Sequence, residues 1–417
     1  MTHRAKVVII GAGPAGSIAA ALLLKKGYQV TVLERDIFPR FCIGESLLPQ
    51  CMEFIKEAGM LEAVKAANFQ LKTGAVFINN RCSAEFDFVD KFNDGFNYTY
   101  QVQRDRFDTL LAEQAISFGA EIHWQTTVID ADFESGLPTL TIENKTGHSD
   151  QIEADFVLDA SGFGRVLPRL LDLETPSNFP HRQALFTHIE DRICEDNYDR
   201  NKTYILVHPE IKDIWYWLIP FSNGRCSLGV VGESTLFESI DSDNTLAFKK
   251  LLGVEPNLSR LLNQADFDTP VQSIGGYSAR VKSLYGDGFA LLGNAGEFLD
   301  PVFSSGVAIA MKSASLAADI LDRQFKQETV DWQTEFTEPL QVGVETFRTF
   351  VQAWYDGRLQ DVVFFQRQQN DRQMATIREL LSSVFAGYVW DKNNPYVKNP
   401  ESRLRTLVEM CRNPDLN

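Results

Sequence analysis

The sequence predicts an α/β fold in which a parallel-sheet unit is interleaved with an antiparallel β-sheet unit and followed by a C-terminal helical region. Three observations carry this. The chain opens with strand, glycine turn, helix and strand in direct succession. A strand-rich stretch of antiparallel β character runs from about 183 to 231. Short, wholly apolar strands of the opening kind then reappear after that excursion, which requires two interleaved units and not two consecutive beads.

Taken in order, Lys6–Ile10 reads as a buried strand, Pro14–Lys26 as a helix and Gln29–Leu33 as a second strand, together one βαβ unit. Ala75–Asn79 and Ala84–Val89 are short alternating runs that suit a different sheet. Arg104–Phe118 places Arg104, Phe107 and Leu111 at helical spacing, and Glu121–Asp130 is strand-like again. Phe156–Asp159 ends in the turn Ala160-Ser161-Gly162. Thr203–His208, Ile214–Ile219 and Cys226–Val231 form the antiparallel stretch; Phe289–Leu292 is a buried strand, and Gly306–Phe325 a long apolar helix. From Asp331 the tail is mostly helical and rich in Phe, Trp and Gln. The expected division is a first unit over 1–70, 104–180 and 285–328, a second over 71–103 and 181–284, and the helical region over 329–417.

Bulk properties narrow the partners. The 417 residues are 44% hydrophobic and 23% charged, ordinary for a folded chain, with a net charge of -16. Such a surface repels phosphate backbones and anionic lipid, so neither nucleic acid nor a membrane is an expected partner. The longest membrane-span candidate, Ile18 to Leu24, is far too short. The first apolar run passes straight into glycines, so no secretory leader is expected and a cytoplasmic location is. Six cysteines without CxxC spacing read as reduced, mostly buried thiols. His3, His123, His148, His181, His188 and His208 are isolated, which gives no metal-ligand spacing and no hydrolytic triad.

The first chemical signal is Gly11-Ala12-Gly13-Pro14-Ala15-Gly16 after a strand, with Glu34 closing the next one. Gly11 permits the tight turn, Gly13 lets the backbone approach a pyrophosphate, and Gly16 allows close helix–strand packing. The helix N-terminus then presents free N–H groups to phosphate, and Glu34 can accept hydrogen bonds from ribose hydroxyls. This defines a Rossmann-like dinucleotide site but does not choose between FAD and NAD.

Distant residues make that choice. Arg104 opens Gln103-Arg104-Asp105-Arg106-Phe107-Asp108-Thr109-Leu110-Leu111; Asp159-Ala160-Ser161-Gly162 ends a strand; Gly293-Asn294-Ala295, Asp300-Pro301 and Ser305-Gly306 precede a helix. In this order the chain resembles the FAD flavoproteins that include para-hydroxybenzoate hydroxylase, geranylgeranyl reductases and flavin-dependent halogenases. The resemblance implies FAD as cofactor. It implies that Arg104 contacts the flavin nucleotide and that Asn294, where the family usually has Asp, hydrogen-bonds the ribityl chain. It extends the flavin set to Arg35, Arg40, Gly44, Glu45, Ser46, Val128, Gly162, Gly293, Pro301 and Val307. With one GxGxxG only, electrons come either from NAD(P)H docking transiently or from a separate flavin reductase.

Three segments point to the halogenase branch. Phe38-Pro39-Arg40-Phe41-Cys42-Ile43-Gly44-Glu45-Ser46-Leu47-Leu48-Pro49 looks like the flavin-contacting strap, a stretch that reductases of the superfamily also carry. Trp215-Tyr216-Trp217-Leu218-Ile219-Pro220 matches the halogenase WxWxIP signature. In Phe69-Gln70-Leu71-Lys72-Thr73-Gly74-Ala75, Lys72 stands at the position of the halogenase lysine. Side chains alternate along a strand, so Trp215, Trp217 and Ile219 share one face. By resemblance that face keeps the organic substrate from the flavin; by residue pattern alone it is a strand buried on both sides. Lys72 is either a solvated surface group or, if desolvated, an amine of depressed pKa. In the second case it either captures hypochlorous acid as a chloramine or polarises the acid by hydrogen bonding. By resemblance, Ser305 and Gly306 hold the halide. Phe303 replaces a glutamate of the free-tryptophan halogenases, which points to phenol- or pyrrole-type substrates, often tethered to a carrier protein. The competing expectation is a reductase or monooxygenase whose substrate meets the flavin directly.

Overall fold

The computed structural model describes residues 5–80, 82–177, 179–278, 280–365 and 372–412. His3 and the parts 366–371 and 413–417 of the expected helical tail lie outside the described residues.

A six-stranded sheet forms the first layer. Its order is Tyr285–Gly286, Phe289–Leu291, Phe156–Asp159, Lys6–Ile10, Gln29–Glu34, Glu121–Trp124. Lys6–Ile10 lies in the middle, parallel to both neighbours, with Val8 opposite Val157 and Thr31. Its residues from Val7 on are wholly buried, the pattern expected when both faces of a parallel sheet are covered. The helices Pro14–Lys25, Arg104–Ser117 and Ser305–Phe325 pack together against it, and small residues of the first (Ala19, Ala20, Ala21) permit that approach.

The second layer is a seven-stranded sheet ordered Gln272–Gly275, Arg182–Glu190, Arg225–Glu233, Trp215–Pro220, Lys202–Val207, Gly74–Asn79, Cys82–Asp87. It is antiparallel except for one pair, Lys202–Val207 with Gly74–Asn79. One face meets the main core. The other is covered by the helices Ser234–Ile240, Asn244–Val254 and Pro256–Leu261, which the sequence reading had not picked out. The interleaving is as expected: strands 74–79 and 82–87 leave the first unit early, and Phe156–Asp159 and Phe289–Leu291 return to it.

Two expected strands need correction. Glu121–Asp130 is two strands, because Gln125 sits in the left-handed region (φ 54°) and turns the chain. Glu121–Trp124 edges the parallel sheet, whereas Thr126–Asp132 joins Thr139–Asn144 and Ser149–Glu153 in a small antiparallel sheet. The run placed at Ala84–Val89 is a strand over Cys82–Asp87, after which Phe88–Asp90 turns to bury Phe88. The cysteines divide evenly: Cys51, Cys226 and Cys411 are buried, whereas Cys42, Cys82 and Cys194 are partly or fully exposed.

Candidate active site

A long cleft runs between the two sheets, and most of the residues singled out in the sequence line it. Gly11 adopts φ +99°, open only to glycine at low cost, and its N–H donates to the Leu33 carbonyl at 2.8 Å. That turn aims the helix Pro14–Lys25 at the cleft with proline at its first position and no acidic residue in its first turn. Gly13, Pro14 and Ala15 line the cleft, as do Glu34, Arg35, Val128 and Gly162. Glu34 is buried, and its carboxylate accepts from the N–H groups of Ala12 (2.8 Å) and Asp36 (3.0 Å). Two further lone-pair positions remain for a ligand hydroxyl.

The strap crosses next, with Arg40, Gly44, Glu45 and Ser46 on the cleft wall. Arg104, buried at the start of its helix, holds it there. Its guanidinium donates to the carbonyl of Ile43 at 2.8 Å and, two-pronged, to Asp108 at 2.7 and 2.9 Å. Glu45, only 2% exposed, pairs with His188 Nε2 at 2.5 Å and so ties the strap to the second sheet. Burial works against the His188 imidazolium, but the Glu45 carboxylate outweighs it and raises the pKa.

Asn294, Pro301, Ser305, Gly306 and Val307 line the remaining wall. Ser304, at φ 56°, leads into the helix Ser305–Phe325 with no side-chain cap, so the first-turn N–H groups of a 21-residue helix face the cleft. Two buried polar atoms here, Asn294 Oδ1 and Ser305 Oγ, have no hydrogen-bond partner in the protein. Leaving such an atom unsatisfied costs about 1–3 kcal/mol, so this wall is built for a polar ligand. The glycine turn, the free helix ends and these two orphaned polar atoms, one an acceptor and one a hydroxyl, fit the pyrophosphate, ribityl chain and ring of FAD.

Opposite stands the strand Trp215–Pro220. Trp215, Trp217 and Ile219 face the cleft with Thr203 and Ile205 of the neighbouring strand. Tyr216 and Leu218 point into the helix-covered core behind. The strand is thus both a cleft wall and buried on both faces. The indoles lie 5.9 Å apart, and Trp217 lies across Gly229, where an added Cβ would meet its ring at 2.2 Å.

Three residues of the expected site do not line the cleft. Gly16 packs on the turn, the close helix–strand approach its spacing implies, and an added Cβ there would lie 1.9 Å from the Gly11 carbonyl oxygen. Gly293 is likewise off the surface, backed against Ala310. Lys72 does not reach the cleft either. Strand Gln70–Lys72 turns Leu71 outward and Lys72 inward, 2% exposed, and there the strap intercepts it. Lys72 Nζ donates to Ser46 Oγ at 2.7 Å and to the Leu47 carbonyl at 2.9 Å, with the Phe88 ring 5.4 Å away. Burial without a carboxylate partner among the described contacts pushes its pKa down to about 7, slightly opposed by Cys51. Ser46 Oγ lies 3.0 Å from Thr203 Oγ1, and both residues line the cleft, so Lys72 stands one residue behind its surface. The role of Thr203 escaped the sequence reading because nothing marks a threonine in a strand; only the pairing of sheets puts it opposite Ser46. Phe303 packs into an aromatic cluster with Phe350, Trp354 and Phe385.

The fold and cleft define an FAD-binding oxidoreductase, and residues 4–193 match the family model described as FAD binding domain. The 1H-pyrrole-2-carbonyl-[peptidyl-carrier protein] chlorinase of Pseudomonas fluorescens is 30% identical over 418 residues, covering 92% of this chain and 90% of that protein. The corresponding brominase of Pseudoalteromonas luteoviolacea is 32% identical over 334 residues, 79% of this chain and 80% of its own. Among solved structures, a flavoprotein/dehydrogenase from Cytophaga hutchinsonii superposes with a TM-score of 0.94 at 42% identity, covering 99% of this chain and 100% of that one. The chain belongs to the flavin-dependent halogenase family of FAD flavoproteins. No described helix is long and apolar enough to cross a membrane.

Proposed function

We propose that the protein uses reduced FAD, oxygen and halide to halogenate an electron-rich ring of phenol or pyrrole type, presented on a carrier protein. The observation that carries this is Lys72: a buried amine with no carboxylate partner among the described residues, joined through Ser46 to a cleft that also holds an aromatic wall and a helix N-terminus. Gly11, Gly13, Pro14, Ala15, Glu34 and Arg35 would hold the nucleotide half of FAD, with Val128 and Gly162 beside it. Arg40, Gly44, Glu45, Ser46 and Arg104 would hold its middle, and Asn294, Pro301 and Val307 the ribityl chain and ring. When bound and reduced, FAD supplies the oxygen activation that oxidises halide.

The residues of the chain do the rest. The N–H groups of Ser305 and Gly306, at the positive end of a long helix, would hold the halide. Trp215 and Trp217 exclude the organic ring, so activated oxygen meets halide first. Lys72, with a pKa near neutrality, can act as amine or ammonium. As amine it would take up the electrophilic halogen; as ammonium it would hydrogen-bond hypohalous acid. Ser46 Oγ lies between Nζ and the cleft, so either contact requires that hydroxyl to swing aside; with it in place, Ser46 and Thr203 would pass a proton, not the halogen. Phe303 in the aromatic cluster leaves no carboxylate there to anchor a free amino acid.

A second reading, a dehydrogenase, reductase or monooxygenase acting directly at the flavin, is favoured by the 42% identity to the flavoprotein/dehydrogenase. Product masses decide. The purified protein, FAD and a separate flavin reductase are offered phenols, pyrrole carrier thioesters and free tryptophan with chloride or bromide. Halide-dependent mass gain, lost in Lys72→Ala while flavin oxidation and peroxide release continue, supports the halogenase. Halide-independent product, or rapid anaerobic bleaching of the bound flavin by NADPH alone, moves the assignment to the second reading.

A further inference from the structure

The hydroxyl of Tyr355 ties the C-terminal region to the wall of the cleft. Tyr355 is the last residue of the helix Glu338–Tyr355, and its OH lies 2.8 Å from Trp215 Nε1 and 2.9 Å from Asp300 Oδ2. The polarity of this chain is fixed by chemistry. An indole N–H can only donate, so the tyrosine oxygen accepts from it, and the tyrosine proton is left for the carboxylate. The other oxygen of Asp300 accepts from the Val302 N–H at 3.0 Å, in the turn that leads to Ser305 and Gly306. The Arg182 guanidinium lies 3.3 Å above the Tyr355 ring and is itself paired with Asp213 at 2.6 Å. A wall indole and the turn before the helix N-terminus are therefore fastened to the same phenol, although 85 residues separate Trp215 from Asp300 (300 − 215).

We propose that Tyr355 is a positioning residue of the cleft, which sets the Trp215 indole against the turn Asp300–Gly306 and makes the C-terminal helix part of the site. The inference rests on the reading of Trp215 as a wall and of Ser305 and Gly306 as the halide turn. Asp300 gives the arrangement a detectable signature. Burial raises its pKa to about 6, against the Val302 N–H, the Tyr355 hydroxyl and Arg182, with Asp213 adding to the rise. Tyr277 also faces this carboxylate, close enough for its hydroxyl to interact with Asp300. Protonation of Asp300 removes the charged acceptor of the Tyr355 proton and loosens the tie to Trp215.

The test uses full-length FAD-loaded protein labelled with 5-fluorotryptophan, its Trp215 fluorine signal assigned with Trp215→Phe. That signal should titrate with a midpoint near 6, stop titrating in Tyr355→Phe, and stop likewise in Asp300→Asn. Tyr355→Phe keeps the ring under Arg182 and should retain FAD. In turnover it should raise peroxide released per reduced flavin roughly fivefold, the factor that one lost hydrogen bond is worth. A purely structural tyrosine would lower thermal stability without touching the titration. A Trp215 signal that titrates unchanged in Tyr355→Phe, or does not titrate at all, overturns the proposal. The fluorine readout needs no halogenation, so it separates failure of this inference from failure of the proposed function.

Discussion

Lys72→Met tests the electrostatics on which the site depends. The methionine keeps the length of the side chain and removes its charge. A fall in pKa from 10.5 to about 7 corresponds to roughly 5 kcal/mol between the charged and neutral forms. Below pH 7 both the folded and the unfolded chain carry the proton, so the wild type bears this cost in full. Between about 7 and 10.5 the unfolded chain holds a proton that the folded chain has released, and wild-type stability climbs with pH. Against this, methionine leaves the Leu47 carbonyl without its donor, a loss of about 1–3 kcal/mol; Ser46 still has Thr203. Lys72→Met should therefore be the more stable protein at pH 6, by about 2–4 kcal/mol. The gap should shrink above pH 7 and reverse between about pH 8.5 and 10. Thermal melts of both FAD-loaded proteins across that range, followed by circular dichroism, measure it. A gap that stays constant from pH 6 to pH 10 refutes a desolvated Lys72, and with it the chemistry proposed for it.

The glycines should separate by role. Gly13→Val adds its Cβ at an ordinary 3.6 Å from Arg40 and intrudes only on the cleft, so it should yield folded protein lacking the flavin spectrum; retention of full flavin absorbance places the pyrophosphate elsewhere. Gly16→Val meets the Gly11 carbonyl and should lose soluble, folded protein, a difference visible in expression yield and far-ultraviolet circular dichroism. Gly229→Ala presses on the Trp217 ring and should cost about 1–3 kcal/mol through overpacking, while raising hydroxylated side product as the wall opens. Unchanged product ratios in that variant would mean that the Trp217 indole does not guard the flavin.

Much of this protein is written locally. The Gly11–Gly16 turn, its flanking strands and Glu34 were legible because each depends on near neighbours: a left-handed φ, a close helix–strand approach, a carboxylate at the end of the next strand. The period of two along Trp215–Pro220 likewise fixed which indoles share a face. The left-handed residue at Gln125 was not legible, since glutamine carries no turn signal, and one such residue split an expected strand between two sheets. The helices Ser234–Ile240, Asn244–Val254 and Pro256–Leu261 were missed because each is short and its helical form is settled by packing on the second sheet. The sequence by itself determined that a dinucleotide turn, an aromatic strand and a lysine exist, and in what order. Only the tertiary structure decided that Lys72 lies behind Ser46 and opposite Thr203, and that Tyr355 joins Trp215 to Asp300. Those contacts span 26 to 157 residues of chain and are set by which strands pair and how the last helices dock, which no local pattern encodes.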